Sequence, residues 1–122
     1  MSDHIILGKK GEDEAARFLV KNGYKIRNRN WRYKANEVDI IAEKNNLLIV
    51  IEVKTRTNPD FENPKEAVTK KKQRFIIKAT DAYIQKYDIQ LETQFDIVAV
   101  TIQNNNVQIE HIEDAFQASL LL

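Results

Sequence analysis

Two apolar runs separated by a pair of asparagines dominate the middle of this chain. Val38-Asp39-Ile40-Ile41-Ala42 and Leu47-Leu48-Ile49-Val50-Ile51 flank Lys44-Asn45-Asn46. β-Branched residues suit buried strands, and Asn tolerates the left-handed backbone of a tight hairpin turn, so residues 36–43 and 47–54 are predicted to pair as an antiparallel hairpin. With Asn45-Asn46 as the turn, Lys44 pairs with Leu47, Asp39 lies directly opposite Glu52, and Glu37 lies opposite Lys54. Directly opposed residues share a sheet face with Cβ atoms about 5 Å apart. Two carboxylates that close repel by roughly 3 kcal/mol at an effective dielectric of about 20. A purely structural hairpin has nothing to offset that cost. A divalent cation does.

The implied ligand set is all oxygen: Asp39, Glu52 and the backbone carbonyl of Val53, with Glu37 as a further candidate. Such donors favour Mg²⁺ or Mn²⁺ over zinc or copper. The chain has no cysteine and two histidines, His4 and His111, so thiolate metal sites, thiol nucleophiles and disulfide scaffolds are excluded. Lys54 follows Glu52 by two residues and shares its face, where an ammonium can orient a water or offset charge developing on phosphorus. Glu12 falls on the apolar side of the first predicted helix and can reach the same place. Plainer readings exist for each part. A chain this charged produces Glu-x-Lys by chance, Glu37 and Lys54 suit a cross-strand ion pair, and Glu12 with Asp13 and Glu14 suits a helix N-terminus. The opposition of Asp39 and Glu52 is what those readings leave unexplained.

At 122 residues the chain is predicted to form a single domain, with residues 1–7 an N-terminal extension and 117–122 a C-terminal tail. A helix is expected over 8–22, stopped by Gly23, followed by an extended basic stretch at 25–33 and the hairpin. Residues 55–63 read as a loop. A second helix starts at Asn63 (N-cap), Pro64 and Glu66, and its apolar stripe of Val68, Phe75, Ile76, Ala79, Tyr83 and Ile84 carries it to about Tyr87. Strands at 95–102 and 107–112 follow, separated by Asn104-Asn105-Asn106, with a short tail helix from Asp114. The order is α-β-β-β-α-β-β, an α/β fold with one mixed sheet in which the long helix sets strands 47–54 and 95–102 parallel. The longest apolar run, Leu47–Ile51, is far too short to span a membrane, and no secretory pattern opens the chain, so a cytoplasmic location is expected.

Charge is distributed unevenly. Residues 1–87 hold all 19 Lys and Arg against 12 acids, whereas residues 88–122 hold 6 acids and no Lys or Arg. Residues 21–34 carry six basic residues interleaved with Tyr24, Trp31 and Tyr33, and Lys65–Lys78 carries six against Glu66 alone. Charges spaced among rings suit a nucleic-acid strand, although charge runs equally form solvated faces. Candidate contacts are Arg27, Arg29, Arg32, Lys34, Arg56, Lys72 and Gln73. Lys72 can either snorkel from the apolar stripe or point from the helix start into the cleft. Asp96 is expected to make a structural hydrogen bond, and His111 to be a half-exposed strand residue.

The string Gly8-x-x-Gly11-Glu12-x-x-Ala15, Asn30-x-Arg32, Glu37-Val38-Asp39-Ile40-Ile41-Ala42, Glu52-Val53-Lys54-x-Arg56, Pro64-x-Glu66-Ala67-Val68, Lys72, Phe95-Asp96-Ile97-Val98 and Ala115-Phe116 resembles the YraN-like family of uncharacterised bacterial proteins. That family is similar to the PD-(D/E)xK nucleases, with a restriction-endonuclease-like fold and likeness to Holliday-junction resolvases. The resemblance implies that Asp39, Glu52 and Lys54 form the D…ExK core, with Glu12 the helix-borne acid and Lys72 a contributor from the second helix. Asn36 stands where the family commonly has glycine, at a position suited to a left-handed turn. The activity implied is Mg²⁺- or Mn²⁺-dependent hydrolysis of DNA phosphodiesters, on branched or otherwise structured DNA, with RNA an open alternative. A homodimer or a larger repair complex are candidate assemblies. The alternative is a nucleic-acid-binding module that keeps the nuclease fold without turnover.

Overall fold

The computed structural model describes residues 2–60 and 63–118. Its first element, α1 (Asp3–Lys21), turns Gly11, Ala15, Ala16 and Leu19 inward. Recurrence every four residues puts this mostly small set on one stripe, so the helix axis approaches the sheet closely. The helix begins at Asp3 rather than Gly8, because Ser2 caps it: its Oγ accepts the Ile5 N–H at 3.4 Å. Residues 3–7, expected as an extension, are therefore helical and carry His4 with them. At the other end Gly23 adopts φ +89°, and the Gly23 and Tyr24 N–H groups close on the Val20 and Leu19 carbonyls at 3.1 and 3.0 Å.

Five strands form one sheet in chain order: β1 (Lys25–Tyr33), β2 (Asn36–Lys44), β3 (Leu47–Arg56), β4 (Glu92–Gln103) and β5 (Asn106–Phe116). All neighbours are antiparallel except β3 and β4. The Asn45-Asn46 turn has φ of 53° and 63°, and Asn104-Asn105 repeats the arrangement at 51° and 66°. Both are two-residue turns built on the tolerance of Asn for the left-handed region. In the β1–β2 turn the left-handed residue is Lys34 (φ 56°); Asn36 already pairs with Tyr33 in the ladder.

The crossover from β3 to β4 differs from the single helix predicted. α2 (Pro64–Ala67) ends after one turn and α3 (Lys70–Tyr87) starts afresh. Val68 between them takes an extended conformation and is 2% exposed. Sinking Val68 into the core breaks the helix, and Thr69 restarts it by accepting the Lys72 N–H at 3.2 Å. Gln73 Nε2 donates to the Val68 carbonyl at 3.0 Å, satisfying a group the break would orphan. The tail helix expected from Asp114 is also corrected: β5 runs on to Phe116 through an irregularity at Asp114 (φ 51°), and residues 119–122 lie outside the described residues.

Each face of the sheet carries its own core. Ala15, Ala16 and Leu19 of α1 pack on Ile40, Ala42, Ile49, Ile51, Val98 and Val100. Ile76, Ala79 and Tyr83 of α3 pack on Val38, Ile41, Leu48, Val50 and Ile97. The result is three layers, α/β/α. Among the described residues no helix is long and apolar enough to cross a membrane. Asp96 is fully buried on β4 and accepts from Gln94, His111 and the Asp114 N–H. His111 is more enclosed than a half-exposed strand residue, its side chain 12% exposed between the Phe18 and Tyr24 rings.

The closest approach of α1 to the sheet is at Gly11, where an added Cβ would stand 1.9 Å from Thr55 Oγ1. We expect Gly11→Ala to destabilise the protein by about 1–3 kcal/mol in chemical denaturation, as overpacking does, and Thr55→Ala to restore part of the loss in the double variant.

Candidate active site

The β2–β3 ladder has the register expected, from Lys44 opposite Leu47 to Ile40 opposite Ile51, and stops there. Beyond that point Asp39 and Glu52 do not form a ladder pair, which corrects the expectation of direct opposition. Asp39 instead turns its carboxylate into the gap, and its Oδ2 accepts the Val53 N–H at 2.8 Å. The strand changes face here: Val38 and Ile41 belong to the α3-side core, whereas Ile40 and Ala42 belong to the α1-side core. Strict alternation would keep Val38 with Ile40, so β2 twists through Asp39. The neighbouring strand bends at the same level, with Asn30 at φ 51°. An N–H and C=O of one strand residue point to the same edge, so the Val53 carbonyl also faces this gap.

Three carboxyl groups approach the gap from different elements. Glu52 follows Leu48 and Val50 onto the α3 side of β3 and is 5% exposed. Glu12 comes from α1 on the other side, its side chain 18% exposed. Asp39 lies between, and its charge acts on both. A cavity of about 290 Å³ opens on the α1 side of the gap, lined by Glu12, Asp39, Val53, Lys54, Thr55 and the first turns of α1 but not by Glu52. Lys72, at the start of α3, brings Nζ to 3.7 Å from Glu52 Oε2. The same ammonium lies over the Phe75 ring, 5.2 Å from its centroid, so Lys72 both covers the apolar stripe and reaches Glu52. Lys54 is also close enough to draw the Glu52 pKa down.

The electrostatics are those of acids held together against their preference. Burial, reinforced by the Asp39 charge, pushes the Glu52 pKa up to about 9, more than Lys72 and Lys54 can offset. Glu12 is raised in the same way, by burial and then by Asp39, while Asn30 and Arg29 pull it back. Glu12 Oε1 and Glu52 Oε1 are both buried with no hydrogen-bond partner among the described residues. Orphaned buried carboxyl oxygens carry a desolvation cost that a cation would relieve. Among the described residues no group of three or more His, Asp or Glu side chains is gathered at ligand spacing. The donors that could hold a hard cation are Asp39, Glu52 and the Val53 carbonyl, leaving positions for water, as Mg²⁺ prefers.

The other candidates divide. Glu37 pairs with Arg32 across the β1–β2 ladder at 3.5 Å, and among the described residues it makes no ion pair with Lys54. Arg27 is clamped between the Tyr83 hydroxyl (2.9 Å) and Glu43 (2.7 Å), which raises its pKa. Arg29 binds Asp13 at 2.7 Å and stands 3.7 Å from Glu12 Oε1, so it acts as a support for the site. Arg56 donates to Thr101 and lies 3.7 Å from Glu110. Gln73 serves the helix break. Lys34 is exposed, its Nζ over the Tyr33 ring. Asn30 is the residue that the chemistry-bearing motifs did not single out as a support for Glu12. Its signal was faint, an amide able to take positive φ amid a basic strand.

Across the pH window between the two pKa values, folded protein keeps the Glu52 proton that the unfolded chain, at the ordinary 4.5, has lost. This contribution to stability is full below about pH 4.5 and is lost as pH rises toward 9. Glu52→Gln mimics the protonated acid without titrating. In EDTA above pH 7 it should therefore melt higher than the unaltered protein, on the order of 4 °C for each kcal/mol recovered. Thermal melts across pH 5–9 should also show a shallower slope for the variant.

The model of the family described as "Uncharacterised protein family UPF0102" matches residues 11–100, which include every carboxyl and ammonium group of the site. A UPF0102 protein of Phocaeicola vulgatus is 52% identical over 116 residues, covering 95% of this chain and 96% of that protein. One from Bacteroides fragilis is 46% identical over 120 residues, covering 98% and 99%. One from Flavobacterium psychrophilum is 45% identical over 116 residues, covering 95% and 98%. Matched end to end by such relatives, and by a family model that takes in the twist at Asp39 and all the groups around it, the chain belongs to the UPF0102 family.

Proposed function

We propose that this protein is a metal-dependent nuclease that hydrolyses phosphodiester bonds in DNA, with branched or otherwise structured DNA its preferred form. The observation that carries the reading is Glu52: a carboxyl group 5% exposed, with one oxygen orphaned and Asp39 beside it. Burying one acid beside a second carboxylate costs stability, and a cation would offset that cost. Asp39, Glu52 and the Val53 carbonyl would hold Mg²⁺ or Mn²⁺. When bound, such an ion supplies Lewis-acid stabilisation of charge on the phosphoryl oxygens.

The remaining work falls to side chains. Lys54 lines the cavity with Asp39 and Glu12, where its ammonium can orient the attacking water toward phosphorus. Lys72, 3.7 Å from Glu52, adds positive charge facing the scissile phosphate. Glu12, its pKa raised by burial and Asp39, can take the proton that the water loses; Arg29 and Asn30 keep it in place. Water's oxygen then bonds to phosphorus, the P–O bond to the leaving nucleoside breaks, and the leaving oxygen takes up a proton from solvent. A cytoplasmic location belongs to the same proposal.

Purified protein with Mg²⁺ or Mn²⁺ should cut branched, single-stranded or duplex DNA. Glu52→Ala should lower the rate on the order of 10³-fold, and Lys54→Ala on the order of 10²-fold. Intact DNA under all conditions, or equal cutting by Glu52→Ala, would leave a binding module without turnover. A second measurement does not depend on cleavage. Because Glu52 must shed its proton to bind a cation, Mn²⁺ should raise the melting temperature more at pH 8 than at pH 6, and not at all in the Glu52→Ala, Asp39→Ala double variant.

A further inference from the structure

Among the described basic residues of this protein some pair with acids and others do not. Arg27, Arg29, Arg32, Arg56 and Lys72 each stand within 4 Å of a carboxylate oxygen. Lys34, Lys71, Arg74 and Lys78 make no such pair among the described residues. These four come together. Lys34 sits in the β1–β2 turn and the other three on α3, where they line one cavity of about 340 Å³ with Tyr33 and Phe75. The two basic stretches, separated in sequence, meet here. Among the described residues no acid lines the cavity. Positive charge gathered without neutralisation raises the local attraction for a polyanion.

Tyr33 and Phe75 give the cavity its aromatic lining, with Trp31 behind Tyr33 and outside the lining. Trp31 and Tyr33 stack at 6.3 Å with 10° between planes, and Tyr33 meets Phe75 at 6.1 Å and 44°. All three rings are half-buried, so part of each remains accessible. A duplex keeps the faces of its bases inside its own stack and shows only phosphates and groove edges. An unpaired strand offers base faces to the rings and phosphates to the cations at once. We infer that this cavity binds a single-stranded nucleic-acid segment, with bases against Tyr33 and Phe75 and phosphates against Lys34, Lys71, Arg74 and Lys78.

Its position ties it to the acidic site. Asn36, which lines the cavity, is three strand residues from Asp39, roughly 10 Å along β2. Lys71 is the immediate neighbour of Lys72, whose ammonium lies beside Glu52. A strand held here passes the carboxylates within a few nucleotides. What happens to it there rests on the nuclease reading; the binding itself does not.

Binding is measured with the Glu52→Ala protein, which holds the strand without cutting it. An oligothymidylate of roughly 12 nucleotides should bind more tightly than a duplex of the same length and quench Trp31, the sole tryptophan. Tyr33→Leu with Phe75→Leu, which keeps apolar packing, should weaken the oligonucleotide about 10-fold or more. Lys71→Ala, Arg74→Ala and Lys78→Ala together should lower the slope of log affinity against log salt by about 2. The inference is overturned if the duplex or inorganic polyphosphate binds as tightly as the oligonucleotide, or if the leucine variant binds unchanged. Cleavage in the otherwise unaltered protein then reports separately. Unchanged cutting by the cavity variants, with single strands no better bound, sinks this inference and leaves the nuclease standing; tight, ring-dependent binding without cutting does the reverse.

Discussion

A single carboxylate ends a β-ladder. Where the next backbone pair of β2 and β3 should form, Asp39 Oδ2 takes the Val53 N–H at 2.8 Å. That bond satisfies a strand donor that the parting strands would leave bare, so the ladder can open without an orphaned backbone group. It also fixes the acid at the mouth of the gap. The face change along β2, the inward reach of Glu12 and the burial of Glu52 all converge on this point. Without it the hairpin would continue as an ordinary ribbon and its acids would separate onto the surface.

The two helices hold the gap from opposite sides, each through a local break with regularity. On α1, glycine at position 11 lets the helix lie against Thr55, and Glu12, the next residue, is carried over the gap. On α3, the restart at Thr69 puts Lys72 in the first turn, where it reaches Glu52. A continuous helix from Pro64 would rotate and displace that lysine. Three backbone irregularities border the site: the positive φ of Asn30, the split crossover and the truncated ladder. Such departures persist only where surrounding structure over-determines them.

The protein spends some cations on architecture and leaves others open. Arg27 ties β1 to Tyr83 of α3, and Tyr83 passes the link on to Asn28 at 2.6 Å. Arg29 ties β1 to α1 and steadies Glu12. Of the basic residues in this strand Arg27 is the partly buried one, whereas Arg29 stays exposed and is held by its acids. Surface charge of the same sign, around Tyr33 and Phe75, carries no such duty. Charge density alone thus says little about contact with nucleic acid; pairing and position say more.

Much of this was legible in the sequence because it is local. The Asn45-Asn46 turn fixes the register through steric preference, and the parallel β3–β4 pair follows from the helical crossover. The neighbourhood of Asp39 and Glu52 was set by those rules. Tertiary structure alone decided where the ladder ends, because that depends on one carboxylate finding Val53 from another strand. It also decided that the second helix breaks, because burying Val68 outweighs its helical pattern. And it sorted the arginines, since Arg27 meets Tyr83 from 56 residues away, a distance over which no periodicity carries information.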